Sequence, residues 1–425
     1  MLDVRAVLDN LDDVRERTKA RGAAFDIERL AALAEERRDA IHAFEQLRAE
    51  QKRASGEMKG LRPGSEEFDA LRTRLREMSD RIKALDEARR LADEALEALL
   101  LEVPNPIAPG VPRGASDADN VEVRRWGTPR SFDGEEVRDH VDLATELGIL
   151  DMEAAARVSG ARFAFLTGAG ARLERALASL MLDIQTVEHG HVEVAVPYLV
   201  HAPSLVGTGQ LPKFGEDLFR AGEHYLIPTA EVPLTNLFRE QIIEGLEEPI
   251  RLCAHTPCFR REAGSHGRDT RGLIRMHQFS KVEMVRICRP EDSEAEHESM
   301  VHHACLVLER LELPYRVVEL CSGDIGFSAA RCFDIEVWLP SRGGYVEISS
   351  CSNCHDFQAR RAGIRYRPEP GARPQFAHTL NGSGLAVGRA LVAVLENGQQ
   401  EDGSVRLPVA LVPYMGGIEV LRKGG

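Results

Sequence analysis

Residues 250–287 read IRLCAHTPCFRREAGSHGRDTRGLIRMHQFSKVEMVRI. A strand-like run opening on Ile250-Arg251-Leu252 leads to Cys258-Phe259-Arg260-Arg261-Glu262. A polar loop follows at 263–272, and the chain returns through 273–287. Alternate residues of a strand share a face. Arg275, His277, Phe279, Lys281 and Glu283 are therefore expected on one face of the second strand, and Arg260 with Glu262 on one face of the first. Such a face cannot be hydrophobic core, because its charges need partners or solvent. Phe279 and Glu283 lie about 13 Å apart at ~3.3 Å per residue. That spacing suits a ligand with a flat base at one end and a cation at the other, and arginine's planar fork suits a phosphate between them. The alternative is a salt-bridged, solvent-exposed hairpin; the Gly- and Arg-rich loop weighs against it.

Outward from this hairpin, residues 133–425 show a mixed pattern. Helical stretches at 141–158, 172–188, 292–312 and 385–397 alternate with strands. Asp334-Ile335-Glu336-Val337-Trp338-Leu339 alternates, turns at Arg342-Gly343-Gly344 and returns as Tyr345-Val346-Glu347-Ile348. Hairpins rather than βαβ units predict an α+β fold with an antiparallel sheet flanked by helices. Residues 103–132, with Pro104, Pro106, Pro109, Gly110 and Pro112, read as a linker.

The first 102 residues differ in kind. Phe68, Leu71, Leu75, Met78, Ile82, Leu85, Arg89, Ala92, Leu96 and Leu99 step by three and four, a heptad seam with one polar position. Leu30, Ala34, Ile41, Phe44, Leu47, Ala54, Met58 and Leu61 mark a second seam with a slip near Leu47. Leu61-Arg62-Pro63-Gly64-Ser65 between them is a stop-and-restart signal. The simplest geometry is an antiparallel two-helix coiled-coil arm of roughly 50 Å, projecting from something larger. Near the turn, Lys52, Arg53, Lys59 and Arg62 face only Glu57, and Arg72, Arg74 and Arg76 follow. A basic tip on an acidic protein suggests a phosphate-rich partner. A dimerisation coil and a merely solvated helix face are the other readings of the same segment.

The 425 residues carry 54 Lys+Arg against 68 Asp+Glu, a formal charge of −14. That balance argues against a general polyanion binder but leaves room for a local basic patch. With 43% hydrophobic residues the chain can build a sizeable core. The charged first twenty residues contain no apolar signal segment. The longest uncharged run, 194–212, is broken by Pro197, Pro203, Pro212, Gly207 and Gly209, so no membrane span is expected. Eight cysteines without a secretory signal are expected as thiols.

Phe259-Arg260-x-Glu262-Ala263-Gly264, the string at 267–272 and His277-Gln278-Phe279-x-Lys281-Val282-Glu283 resemble the second signature motif of class II aminoacyl-tRNA synthetases. More narrowly, they resemble seryl-tRNA synthetases of the bacterial type. Val196-Pro197-Tyr198-Leu199 resembles the first motif, at the family's dimer interface. Thr229-Ala230-Glu231 resembles the serine-binding loop, and Asn381-Gly382-Ser383-Gly384-Leu385-Ala386-Val387-Gly388-Arg389 the third motif. The N-terminal arm resembles the family's tRNA-binding arm, so the likeness covers nearly the whole chain. It divides the chain into a tRNA-binding domain at 1–102, a linker at 103–132 and a class II catalytic domain at 133–425.

The resemblance implies a serine–tRNA ligase. Such an enzyme activates L-serine with ATP to seryl-adenylate and transfers it to the 3′ end of tRNA(Ser), with tRNA(Sec) a further expected acceptor. Arg260 and Arg389 are the implied catalytic residues, Arg260 at the α-phosphate and Arg389 at the distal phosphates. The implied ATP set is Arg260, Arg261, Glu262, Phe279, Glu347, Ile348, Ser349, Ser350 and Arg389. In it Phe279 stacks on adenine and Glu262 accepts from its amino group. Arg261 stands where the family more often has a small residue, and strand alternation points it away from the ligand face. Thr229, Ala230, Glu231, Glu283 and Ser383 are the implied serine set, with Ser383 also readable as a helix cap. Glu347 and Ser350 are the implied Mg²⁺ ligands, hard oxygens that suit the ion. Ideal alternation instead groups Glu347 with Ser349, a tension that a bulge would resolve. Lys52, Arg53, Lys59 and Arg62 are the implied tRNA contacts. A cytoplasmic homodimer is expected, with neither membrane nor DNA as partner.

Cys351-Ser352-Asn353-Cys354-His355 could suggest zinc. Structural zinc wants four ligands, and cysteines 253, 258, 288, 305, 321 and 332 offer no second close pair, so no zinc is expected. His302-His303 reads as a solvated face. Three rival functions remain. A paralogue loading something other than tRNA should lack the arm. A catalytically dead tRNA binder should have lost Arg260, Glu283, Glu347 and Arg389. A purely structural coiled coil leaves the mixed domain unexplained.

Overall fold

The computed structural model describes residues 1–22, 26–132, 134, 136–263 and 271–424. The chain forms two compact units: a smaller one of Leu2–Lys19 and Ala23–Val103, and a larger one of Met1, Ala20–Gly22 and Pro104–Gly425.

The smaller unit is dominated by α1 (Ile27–Glu57) and α2 (Glu66–Glu102). Asp26 caps α1 by accepting from Arg29 N at 2.9 Å, and Ser65 caps α2 by accepting from Phe68 N at 3.2 Å. Glu66, Glu67 and Asp69 in the first turn of α2 complement its dipole. Between the helices Gly64 takes a φ of 85°, which a side chain would disfavour. Every seam residue expected in α2 is at least half-buried, and Met78 and Leu96 fully so. Three cross-helix contacts fix the direction. Arg37 pairs with Asp93, the Arg89 guanidinium lies over Phe44 at 5.5 Å, and Gln51 donates to Ser79 at 3.2 Å. Numbers rise on one helix as they fall on the other, so the pair is antiparallel. The slip near Leu47 does not interrupt α1, which buries both Leu47 and Ala54.

The larger unit is built on an eight-stranded sheet. Its strands are β1 (Val121–Trp126), β2 (Val192–Glu193), β3 (Ile250–Phe259), β4 (Gln278–Cys288), β5 (Tyr315–Glu319), β6 (Arg331–Leu339), β7 (Gly344–Asn353) and β8 (His378–Ala386). Their order is β1-β5-β6-β7-β8-β4-β3-β2. Every neighbouring pair is antiparallel except the short β2 against β3. Helices α3 (Ala169–Asp183), α4 (Glu231–Asn236), α5 (Ser293–Arg310), α6 (Phe357–Ala362) and α7 (Val387–Gly398) cover the sheet. Val282 and Met284 of β4 join the main apolar cluster with Leu177 and Met181 of α3, Met300 and Leu308 of α5, and Leu391 and Leu395 of α7. Each such fully buried aliphatic contributes roughly 1.5–3 kcal/mol. On the opposite face of β4, Val285 packs with Leu234 of α4 and Ile287 with Ala359 of α6. The fold is α+β, as the hairpins predict.

Three expectations need amendment. Residues 103–132 are not a free linker. Val121–Trp126 pairs with β5 as an edge strand, and Ile107, Ala108 and Val111 are buried with Val318, Leu320 and Ile325. The backbone donors that the prolines leave find partners there, as in Ala108 N to Ala330 O at 2.8 Å. Nearly all of Val121–Trp126 is exposed on both faces, so alternation leaves no burial signal. The stretch 141–158 splits into His140–Glu146 and Met152–Ser159 around Gly148, whose φ is 72°. Finally, 381–386 continue β8, and α7 starts only at Val387. Ser383 is thus a strand residue, not a cap.

Candidate active site

The side of β4 facing away from the main core opens into a cavity of about 290 Å³. The β3–β4 hairpin supplies Arg260, Glu262, Arg275, Phe279, Lys281 and Glu283. Strand β7 supplies Glu347, Ile348 and Ser350, β8 supplies Asn381 and Ser383, and Arg389 comes from the first turn of α7. Thr229 and Glu231 come from the start of α4. Period-2 alternation accounts for Phe279, Lys281 and Glu283, and equally for Asn381 with Ser383. It does not extend as far as the sequence suggests. Strand β3 ends at Phe259 and β4 begins at Gln278. Arg260 N donates to His277 O at 2.9 Å and closes the ladder. Glu262 then takes a φ of 53°, a conformation that is costly without glycine and concentrated at functional sites. Its carboxylate meets Arg275 at 2.6 Å. His277 stays outside the cavity, its Nδ1 3.0 Å from Arg260 O. Residues 264–270, most of the expected polar loop, lie outside the described residues.

One end of the cavity is a carboxylate network. The Thr229 hydroxyl donates to Glu283 at 3.0 Å and accepts from Glu231 N at 3.1 Å. Glu231 accepts from Gln358 at 2.6 Å and from Asn381 at 3.1 Å. Lys281 forms an ion pair with Glu283. Burial, and then the neighbouring charge of Glu283, raise the Glu231 carboxyl to about 7. Two carboxylates bridged by Thr229, against the single cation of Lys281 on the same strand as Glu283, form a receptor for a small ammonium.

The other end is cationic. The Arg260 guanidinium lies over Phe279 at 5.2 Å, and its Nε donates to Pro228 O at 3.2 Å. Arg389 donates to Glu347 O at 2.5 Å and lies 3.4 Å from the Glu347 carboxylate. The tension over Glu347, Ser349 and Ser350 has a structural answer. Ile335 pairs with Ser349 and Glu336 with Glu347, so Ile348 is the extra residue of a β-bulge. The bulge puts Glu347 and Ser350 on the cavity side. Ser349 is buried behind them, its hydroxyl donating to Ser383 O at 2.6 Å. Asp334, opposite Ser350 in register, has its carboxyl raised by burial and by Glu347. A carboxylate and a hydroxyl that line the same cavity are hard oxygen donors of the kind that suit a divalent cation such as Mg²⁺.

Three residues of the expected set do not line the cavity. Arg261 is exposed, and its N donates to Asp217 O at 2.9 Å. Ser349 faces the reverse side. Ala230 is fully buried among Leu234, Leu252 and Val285, where it fixes the loop between Thr229 and Glu231. Lys281, Arg275 and Asn381 belong to the lining but were absent from the expected ligand set, although alternation had placed the first two on the right face. Gln358 gave no sequence signal; only folding brings α6 against Glu231.

All eight cysteines are buried free thiols. Cys351 sits in the main core, and Cys354 accepts from Asn381 at 3.6 Å. His355 lies 3.4 Å from Glu294. His303 is not on a solvated face: its ring stacks on His189 at 3.8 Å and lies 2.8 Å from Arg286. Among the described residues no helix is long and apolar enough to cross a membrane. At the arm's turn Lys52, Arg53, Lys59 and Arg62 are all exposed.

Comparison with known proteins places this architecture. The family model for the tRNA synthetase class II core domain (G, H, P, S and T) matches residues 217–398, and that for the seryl-tRNA synthetase N-terminal domain matches residues 1–107. A serine–tRNA ligase of Alkaliphilus oremlandii is 51% identical over 100% of both chains. Among solved structures, seryl-tRNA synthetase from Pyrococcus horikoshii complexed with ATP superposes with a TM-score of 0.95 at 36% identity, covering 100% of each chain. Cytoplasmic serine-tRNA ligase from Naegleria fowleri in complex with AMP gives 0.86 at 30% identity, covering 97% of this chain and 96% of that one.

Proposed function

Because the chain belongs to the seryl-tRNA synthetase family, we propose that its cavity activates serine with ATP and passes the seryl group to tRNA. The observation that carries this reading is a single opening with the Glu231–Glu283 pair at one end and Arg260 and Arg389 at the other. A serine carboxylate oxygen attacks the α-phosphorus and pyrophosphate leaves. An anion thus approaches a polyanion, so the work is positioning and neutralisation of charge.

Arg260 holds the α-phosphate and Arg389 the distal phosphates. Phe279 offers a flat surface to adenine, and Glu262 accepts from its amino group. Glu231 and Glu283 receive the serine ammonium and hydroxyl, with Thr229, Ser383 and Asn381 completing the polar shell. Glu347 and Ser350 are the ligands for Mg²⁺, which supplies positive charge to the phosphates when bound with ATP. The exposed Lys52, Arg53, Lys59 and Arg62 meet the tRNA backbone. The acceptor is tRNA(Ser), and transcripts of tRNA(Ser) and tRNA(Sec) assayed side by side decide whether the second is charged. The enzyme works as a homodimer through the 196–199 segment, where Tyr198 and Leu199 remain exposed. Buried thiols fit a cytoplasmic location.

ATP–pyrophosphate exchange with each of the twenty amino acids tests the reading. A site that hydrogen-bonds a hydroxyl leaves polar groups unpaired with alanine, which discriminates by about 10⁴ or more. Threonine is refused only by shape. Exchange with serine should far exceed alanine, with threonine the leading error; comparable alanine turnover would sink the assignment.

A further inference from the structure

We propose that Gln358 is a positioning residue for serine: from α6 it donates to Glu231 Oε1, holding that carboxylate charged and leaving Oε2 for the ligand. This rests on the function proposed above. Gln358 is fully buried and does not line the cavity. Its amide nitrogen nevertheless lies 2.6 Å from a carboxylate that receives serine.

The orientation of that amide is fixed. Gln358 Nε2 also donates to Thr208 O at 3.2 Å, and a carbonyl oxygen can only accept. On the other side Thr379 Oγ1 donates to Gln358 Oε1 at 2.7 Å. The nitrogen therefore faces Thr208 and Glu231, and both of its N–H groups are occupied. The anchors are themselves held. Thr208 and Thr379 are buried, and Thr208 O accepts a second bond from the Ser328 hydroxyl at 3.0 Å. Glu231 Oε1 accepts a further N–H from Asn381 at 3.1 Å. Among the described residues no hydrogen bond reaches Oε2.

Neutral donors suit this position better than a cation. Burial and the charge of Glu283 both oppose ionisation of Glu231, so the anion needs support. A lysine or arginine against it would give that support but would cancel the charge that an ammonium ligand needs. The charged and titratable groups facing Glu231 are Glu283 and Lys281 of β4, Arg260 beyond β3, and the Cys354 thiol just before α6. Lys281 is paired with Glu283, and Arg260 donates to Pro228 O and lies over Phe279. Burial pushes the Cys354 thiol up, so it stays neutral. The Gln358 and Asn381 amides thus stabilise the Glu231 anion without neutralising it.

The test follows serine-dependent pyrophosphate exchange by the full chain from about pH 6 to 9. It reads kcat, the ATP KM, and the ratio of each variant's serine KM to that of wild type, which removes the titration of serine itself. Gln358→Met keeps the side chain's length and loses both N–H groups. Losing one hydrogen bond to a charged group should move the Glu231 titration up by about one unit or more. The KM ratio should then be about tenfold at pH 6 and fall to within about twofold by pH 9, with kcat at saturating serine and the ATP KM little changed. Gln358→Glu keeps the acceptor for Thr379 and places a competing carboxyl against Glu231, and its KM ratio should fall with rising pH in the same way. A KM ratio that stays constant with pH in both variants would make Gln358 only a strut of α6 and overturn the proposal, as would a loss carried by kcat or by the ATP KM. Wild type without serine-dependent exchange at any pH would instead remove the function itself, and this inference with it.

Discussion

Glu231 gives the cavity a built-in pH dependence. Its carboxyl stands near 7 in the empty site because burial and Glu283 both disfavour the anion. An incoming ammonium needs that anion, so binding below pH 7 must first expel a proton. The KM for serine should therefore rise as pH falls below about 7, approaching tenfold per unit, and Glu231→Gln should flatten the profile while raising KM throughout. A flat wild-type profile between pH 5.5 and 8 would show that Glu231 does not receive the ammonium. Arg260 and Glu283 separate differently. Arg260→Ala removes a donor aimed at the reacting phosphate and should lower kcat by about 10²–10³. Glu283 pairs with a group that does not react, so Glu283→Ala should raise the serine KM first. If both changes moved only KM, the role given to Arg260 would be wrong. At this scale alternation made Phe279, Lys281 and Glu283 legible. It left Ser349 and Ser350 ambiguous, because one extra residue in a strand exchanges its faces.

Among the elements, the arm is the most transparent. Its seam repeats along Glu66–Glu102, and a local repeat needs no distant partner to be read. Even the polar seam position explains itself, with Arg89 covering Phe44. Its four tip charges are solvent-exposed, so removing them should leave the helices folded. Replacing Lys52, Arg53, Lys59 and Arg62 by Gln should raise the tRNA KM and flatten its salt dependence, by about one unit of log–log slope for each phosphate no longer neutralised. Serine-dependent exchange should not change. An unaltered salt slope would mean the tip is only a solvated helix end. Val121–Trp126 was the opposite case. An edge strand exposed on both faces carries no periodic burial, and the prolines before it read as a linker although their neighbours are buried.

For the whole molecule, the division into two compact units predicts separable functions. Every residue assigned to serine or ATP lies beyond Pro104. Replacing residues 35–94 by a short flexible link should leave serine-dependent exchange largely intact and abolish most tRNA charging. Sedimentation of the same variant guards against the rival reading: an intact, activating dimer that cannot charge tRNA supports separable functions, whereas an inactive monomer would make the arm a dimerisation device.

The sequence by itself determined the helical arm, the antiparallel hairpins and the chemical character of the β3–β4 face. These follow from short-range periods of 3.5 and 2, which are properties of neighbouring residues. Tertiary structure decided what depends on chain segments far apart. It brought Gln358 and Asn381 onto Glu231, set the Ile348 bulge that turns Glu347 and Ser350 to one side, and buried Ile107, Ala108 and Val111 against Val318, Leu320 and Ile325. Each of these is a contact between elements, and local periodicity carries no information about which distant surface an element will meet.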